Sequence, residues 1–147
     1  MKHFLTVILF GGLVLAGFGC TKKALVFVDV PSAMRMDGGG VLSVTIENQS
    51  NARQANVEVT LPESWTKGIG IRGVAPMASE TVYEAKDHVL RYTFRDLMLE
   101  KDSSRRIDFT LNAKEEGVFK GRINVCIDDD CTRTTARTTV TAEPSAL

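Results

Sequence analysis

The chain has 147 residues and a mass of 16.1 kDa, a length that holds one domain and leaves little room for a second. Eighteen Lys and Arg balance eighteen Asp and Glu, so no net charge selects a nucleic acid or an anionic surface, and 44% hydrophobic with 24% charged residues excludes wholesale disorder. Two histidines and three cysteines exclude most zinc and histidine-based catalytic schemes.

The chain opens with Lys2 and His3, then runs without a charge from Phe4 to Cys20, with small residues near the end of that stretch. A basic start, an apolar run and a small-residue exit form the pattern of a bacterial export signal. The run is at the short limit for crossing a bilayer, and its glycines make a poor permanent helix. Gly17-Phe18-Gly19-Cys20 resembles a lipobox, with Gly19 in the small position before the cysteine. It departs from that pattern at Gly17, where Leu is usual, and at the bulky Phe18. The resemblance implies cleavage before Cys20, a signal over residues 1–19, a single domain over residues 20–147, and a lipid anchor on Cys20. Cysteine parity agrees, because Cys126 and Cys131 can pair and leave Cys20 as the odd one. Ordinary cleavage after Gly19 and retention of Phe4–Cys20 as a membrane helix stand as the alternatives. Thr21, in place of the Asp that resembles an inner-membrane retention signal, favours the outer membrane; the periplasm or the medium is the alternative destination.

Beyond the signal, apolar and polar residues alternate with the period of a half-buried strand. In chain order the runs are Ala24–Val30, then Leu42, Val44 and Ile46, then Val57, Val59 and Leu61. Weaker runs near Ile69–Val74 and Thr81–Ala85 precede Leu90, Tyr92 and Phe94, then Ile107, Phe109 and Leu111. Ile123, Val125 and Ile127 form the next, and Cys131–Thr141 the last. Polar clusters such as Asp37-Gly38-Gly39-Gly40 and Lys114-Glu115-Glu116-Gly117 separate them as turns. With no amphipathic helix long enough for a parallel crossover, about seven to nine such strands predict an all-β, antiparallel, immunoglobulin-like sandwich.

Placing Cys126 opposite Cys131 fixes the register of the last hairpin. Val125 then opposes Thr132, Asn124 opposes Arg133 and Ile123 opposes Thr134, so both strands keep one pleat. Opposed strand residues are close enough for a disulfide, which an exported protein can form.

Val44-Thr45-Ile46-Glu47-Asn48-Gln49-Ser50-Asn51 and Ala55-Asn56-Val57-Glu58-Val59-Thr60-Leu61-Pro62 resemble a "V-x-V-x-N" strand, an "A-x-N-V-x-V" strand and an "L-P-x-x" exit. These belong to the conserved-repeat, immunoglobulin-like domain of bacterial surface proteins, a domain-of-unknown-function family. Gly117–Val125 is similar to that family's closing strand. The resemblance covers roughly Val41 to Thr141 and implies an extracytoplasmic structural or adhesive module without catalysis. That family usually occurs in tandem; this chain carries one copy.

Asp128-Asp129-Asp130 at the hairpin tip offers carboxylates to calcium, yet neighbouring strand residues point to opposite sides and a solvated turn is the simpler reading. Cys126-x4-Cys131 reads as a structural bridge, since redox dithiols favour C-x-x-C at a helix start. His88, in Ala85-Lys86-Asp87-His88, sits beside a turn with no G-x-S-x-G context, which makes it a surface residue. Trp65 either anchors a partner or caps the core. Lys67-Gly68-Ile69-Gly70-Ile71-Arg72-Gly73 lacks the ending of a phosphate loop and serves as a crossing or an edge strand. The threonine-rich final strand carries Arg133 and Arg137 outward, either guarding an edge or framing one that is offered to another chain. The functional expectation is a non-catalytic envelope lipoprotein, without cofactor or nucleic acid, that has a structural or protein-binding role. The alternative is an assembly subunit of a secretion system or pilus, docking by this edge.

Overall fold

A computed structural model describes residues 24–142, so the signal segment over 1–19 and the expected lipid site Cys20 lie outside the described residues. The alternating runs form strands with their apolar sets inward. Leu42, Val44 and Ile46 are buried in β3 (Gly39–Asn48), and Val57, Val59 and Leu61 in β4 (Arg53–Pro62). Tyr92 and Phe94 are buried in β7 (Val89–Leu99), Ile107, Phe109 and Leu111 in β8 (Ser103–Ala113), and Ile123 and Val125 in β9 (Gly117–Ile127). The remaining strands are β1 (Ala24–Asp29), β2 (Ala33–Arg35), β5 (Ile69–Ala75), β6 (Glu80–Glu84) and β10 (Asp130–Thr141), with a single helical turn, α1 (Glu63–Thr66), between β4 and β5.

The strands make two sheets, ordered β1-β3-β8-β5 and β2-β10-β9-β4-β7-β6, whose apolar faces close on one core. Tyr92 of one sheet meets Phe109 of the other edge-to-face, with ring centroids 5.0 Å apart. The first order matches the ABED sheet of a variable-type immunoglobulin domain, and the second its GFCC′C″ sheet with β2 added outside the G position. Chain order differs, because β5, at the D position, comes before β6 and β7 at the C″ and C′ positions. The fold is an immunoglobulin-like β-sandwich.

Two details correct the sequence expectation. The described residues hold ten strands rather than seven to nine, and one pair, β2 with β10, is parallel. After β1 the chain leaves its sheet at Pro31 and Ser32 and joins the other one for three residues, running in the direction of β10. Three residues are too few for alternation to show. The rest of the expected pairing holds residue by residue: Cys131 opposes Cys126, Thr132 opposes Val125 and Arg133 opposes Asn124.

The Cys126–Cys131 disulfide closes this hairpin, with Cα atoms 4.0 Å apart. It encloses only a short loop, so little unfolded-state entropy is removed. Reduction, or Cys126→Ser with Cys131→Ser, is expected to lower the unfolding free energy by about 1–2 kcal/mol in a denaturant titration. A loss as large as that of a core truncation would contradict this account.

Two buried polar groups tie distant segments together. Asn48, at the end of β3, donates from its amide to the carbonyls of Leu99 and Glu100, each at 3.1 Å, and of Asn51 at 3.2 Å. Its Oδ1 accepts from the N–H and hydroxyl of Ser50. Trp65, on α1, is fully buried, and its Nε1 donates to the Thr138 hydroxyl at 3.0 Å. Thr138 in turn donates to the Pro31 carbonyl at 2.7 Å. The indole therefore caps the core, and as a candidate partner anchor Trp65 is corrected: no part of it reaches the surface. Gly68 follows α1 because a Cβ there would overlap the ring of Phe119.

Candidate functional site

Two residues enter the turn of the last hairpin, Asp128 and Asp129, between the paired Ile127 and Asp130. Asp128 takes a left-handed backbone, φ 51°, which aspartate tolerates. Its N–H donates to the Asn56 carbonyl, its Oδ1 accepts from the Asn56 N–H at 3.0 Å, and its Oδ2 pairs with Arg53 at 3.1 Å. Asn56 sits where the β4–β7 register shifts, so Asp128 stitches the hairpin tip to a bulge. Both oxygens are thus engaged in the fold, and among the described residues no group of three His, Cys, Asp or Glu is placed to hold a metal ion.

From this tip β10 runs along the edge of its sheet. β9 pairs with it from Asp130 to Val140, but on the other side β2 covers only Thr139–Thr141. The Thr139 N–H donates outward, to Ser32, at 2.9 Å. In an antiparallel ladder outward and inward backbone groups alternate, so Cys131, Arg133, Thr135 and Arg137 share that phase. Their N–H and C=O groups point to the uncovered side, where no described strand receives them. The edge is about seven residues long, or roughly 23 Å.

The same alternation sorts the side chains. Thr132, Thr134, Ala136, Thr138 and Val140 face inward, with Ala136 and Thr138 fully buried. Arg133 and Arg137 face outward and are exposed. Across the ladder Arg137 opposes Lys120 and Thr135 opposes Arg122, both exposed on the same face. Four cations therefore share two adjacent strands, and among the described residues none of them makes an ion pair. A shallow depression lined by Arg122, Arg133, Thr134 and Thr135 lies among them. On the opposite sheet the contrast is clear: Arg106 pairs with Asp108, and bonds donated by Ser43 and Arg106 hold that carboxyl below the usual carboxylate range.

The sequence singles out Arg133 and Arg137, and the structure puts both on this face. The cysteine register already turns Arg122 outward with Arg133; Lys120 was missed, although carrying that register six pairs on from Cys131 brings it opposite Arg137. The signal was present and needed only to be carried along the strand.

His88 lies elsewhere, on the turn before β7, exposed and with φ 53°. Its Nδ1 is 2.7 Å from Glu63 Oε2, and Tyr83 donates to Glu63 Oε1 at 3.2 Å. Lost hydration, with the nearby carboxylate, holds the Tyr83 hydroxyl above the usual tyrosine value. Ser64 and His88 line one surface depression, but the Ser64 hydroxyl donates to the Lys120 carbonyl at 2.7 Å. The hydroxyl is committed to the backbone, and His88 does not bond to it.

No protein-family model matches the chain, and no curated protein does. Solved structures do. A cohesin module from a Clostridium perfringens family 33 glycoside hydrolase superposes with a TM-score of 0.56 at 13% identity, over 84% of this chain and all of that one. The structure named BspA_C_WT gives 0.50 at 11% identity, over 79% of this chain and 50% of that one. A CARDB domain from Pyrococcus furiosus gives 0.47 at 12% identity, over 80% and 87%. At such identities the likeness is one of fold alone, and the first two structures agree with the immunoglobulin-like β-sandwich described above.

Proposed function

We propose that this chain is a non-catalytic module of the bacterial cell envelope that binds a protein partner along the open edge of β10. The observation that carries the proposal is the row of backbone groups at Cys131, Arg133, Thr135 and Arg137 that no described strand receives, on an edge that β2 covers only at its far end. An extended chain can add to such an edge as one more strand, gaining main-chain hydrogen bonds. A lipid on Cys20 would hold the module at the outer membrane, and the intact mass of protein from native membranes, starting at Cys20 with acyl chains, is the expected result. The export signal and the resemblance of β3 and β4 to the conserved-repeat surface domain support an extracytoplasmic site. The same edge favours a second reading, a subunit docked by β10 within a secretion system or pilus, in which the adduct sought below is stoichiometric.

A photo-crosslinker at Arg133, introduced in cells, tests the docking. One discrete protein adduct is expected, and Thr135→Pro should abolish it. Proline there removes an outward N–H while sparing the β9 ladder, as edge strands allow. An adduct that survives Thr135→Pro, or none at all, would refute strand addition at this edge.

A further inference from the structure

We infer that the strand received by β10 is a short segment carrying acidic side chains on the face it shares with Arg133 and Arg137. This rests on the edge-docking reading above and adds the chemistry of the partner.

Length comes first. β2 occupies the column beside β10 from Thr139 onward and the turn begins at Asp128, so an added strand has about seven residues to pair with. Side-chain chemistry follows from the pleat. Residues of the added strand opposite Arg133 and Arg137 lie four apart and project onto the basic face, where opposite charge is favoured. The alternate residues lie beside Thr132, Thr134 and the buried Ala136, a side that accepts small uncharged groups and rejects charge.

The competing explanation is that these cations merely guard an exposed edge. Guarding explains Arg133 and Arg137, but not Lys120 and Arg122. Those two stand on β9, one strand in from the edge, where no pairing needs to be blocked. Moreover, Arg137 directly opposes Lys120, and like charges in that position destabilise a sheet. The protective device of an inward-pointing charge is also missing from β10, whose inward positions from Thr132 to Val140 are all uncharged. An arriving anionic strand explains all four cations together.

The test uses the purified full chain and three synthetic peptides. The first alternates Val with Glu, Thr and Glu; the second has Lys for each Glu; the third keeps both Glu and places Pro between them. Affinity is read by fluorescence anisotropy, and edge pairing by hydrogen exchange at the amides of Arg133, Thr135 and Arg137. The acidic peptide is expected to bind at least about tenfold more tightly than its lysine counterpart and to protect those amides. Arg133→Glu with Arg137→Glu should abolish the preference, since two carboxylates then face the remaining Lys120 and Arg122, and this change on exposed positions leaves the core intact. Equal binding and equal protection by the first two peptides would overturn the acidic inference and leave edge docking standing. Equally tight binding of the proline peptide, without protection, would mean that charge alone attracts it and would overturn both. Failure of every peptide to protect the edge would also overturn both.

Discussion

Trp65→Ala is expected to lower the unfolding free energy by about 3–5 kcal/mol, the largest effect of any single truncation in this molecule. The indole is the largest fully buried side chain, and it comes from a helical turn of four residues that has little stability of its own. Removing it leaves a cavity at the end of the core that the short turn cannot refill. It also withdraws the donor to Thr138, whose own bond to Pro31 links β10 to the passage between the sheets. Trp65→Phe separates these contributions, since it keeps much of the ring but no N–H. Its expected cost is about 1–3 kcal/mol, the range for one buried hydrogen bond left incomplete. Denaturant midpoints at constant slope measure both. An alanine variant within 1 kcal/mol of the parent would show that the indole does not plug the core.

Asn48→Asp is expected to cost about 3–5 kcal/mol at pH 7, because it swaps a donor that serves three carbonyls for a carboxylate that can serve none. Asn48 is buried, so the new charge would face carbonyl oxygens without water. Both effects raise the carboxyl's pKa in the folded state above its unfolded value of about 3.9. The sign follows from linkage. Between those two values the folded state binds more protons, so stability falls as pH rises. The variant should therefore lie nearest the parent below about pH 4, where a protonated carboxyl can still donate one bond, and diverge from it as pH rises. Thermal unfolding of both proteins across this range gives the answer. A gap between the two that does not change with pH would count against the carbonyl cluster as the cause.

Neither residue announced its role in the sequence. Asn48 was visible as the last position of an alternating strand, but its partners are 51 and 52 residues away at Leu99 and Glu100. Thr138 was visible as an oddity in a core strand, and its acceptor lies 107 residues upstream. Alternation tells which face of a strand is buried, which is why the sandwich and the Cys126–Cys131 hairpin could be read so far in advance. It does not tell which strands become neighbours. The basic face shows the boundary between the two. Arg133 and Arg137 were evident from one strand's pattern and Arg122 from the cysteine register, whereas Lys120 joins them only when that register is carried six pairs along both strands. β2 escaped for a simpler reason: its three residues follow a proline and show no period.

The switch of the N-terminal strand between sheets has a mechanical consequence. Ala24 pairs with Asn48 at the end of the sandwich that holds the hairpin tip, while Thr141 pairs with Arg35 at the other end. Tension between the two termini of the described domain therefore runs along the strands rather than across them. β1 is pulled lengthwise against β3, and β2 against β10 in the opposite sense. Their hydrogen bonds bear the load together in shear instead of opening one after another like a zip. A module tethered at one end and gripped along β10 would resist being drawn apart along its strands.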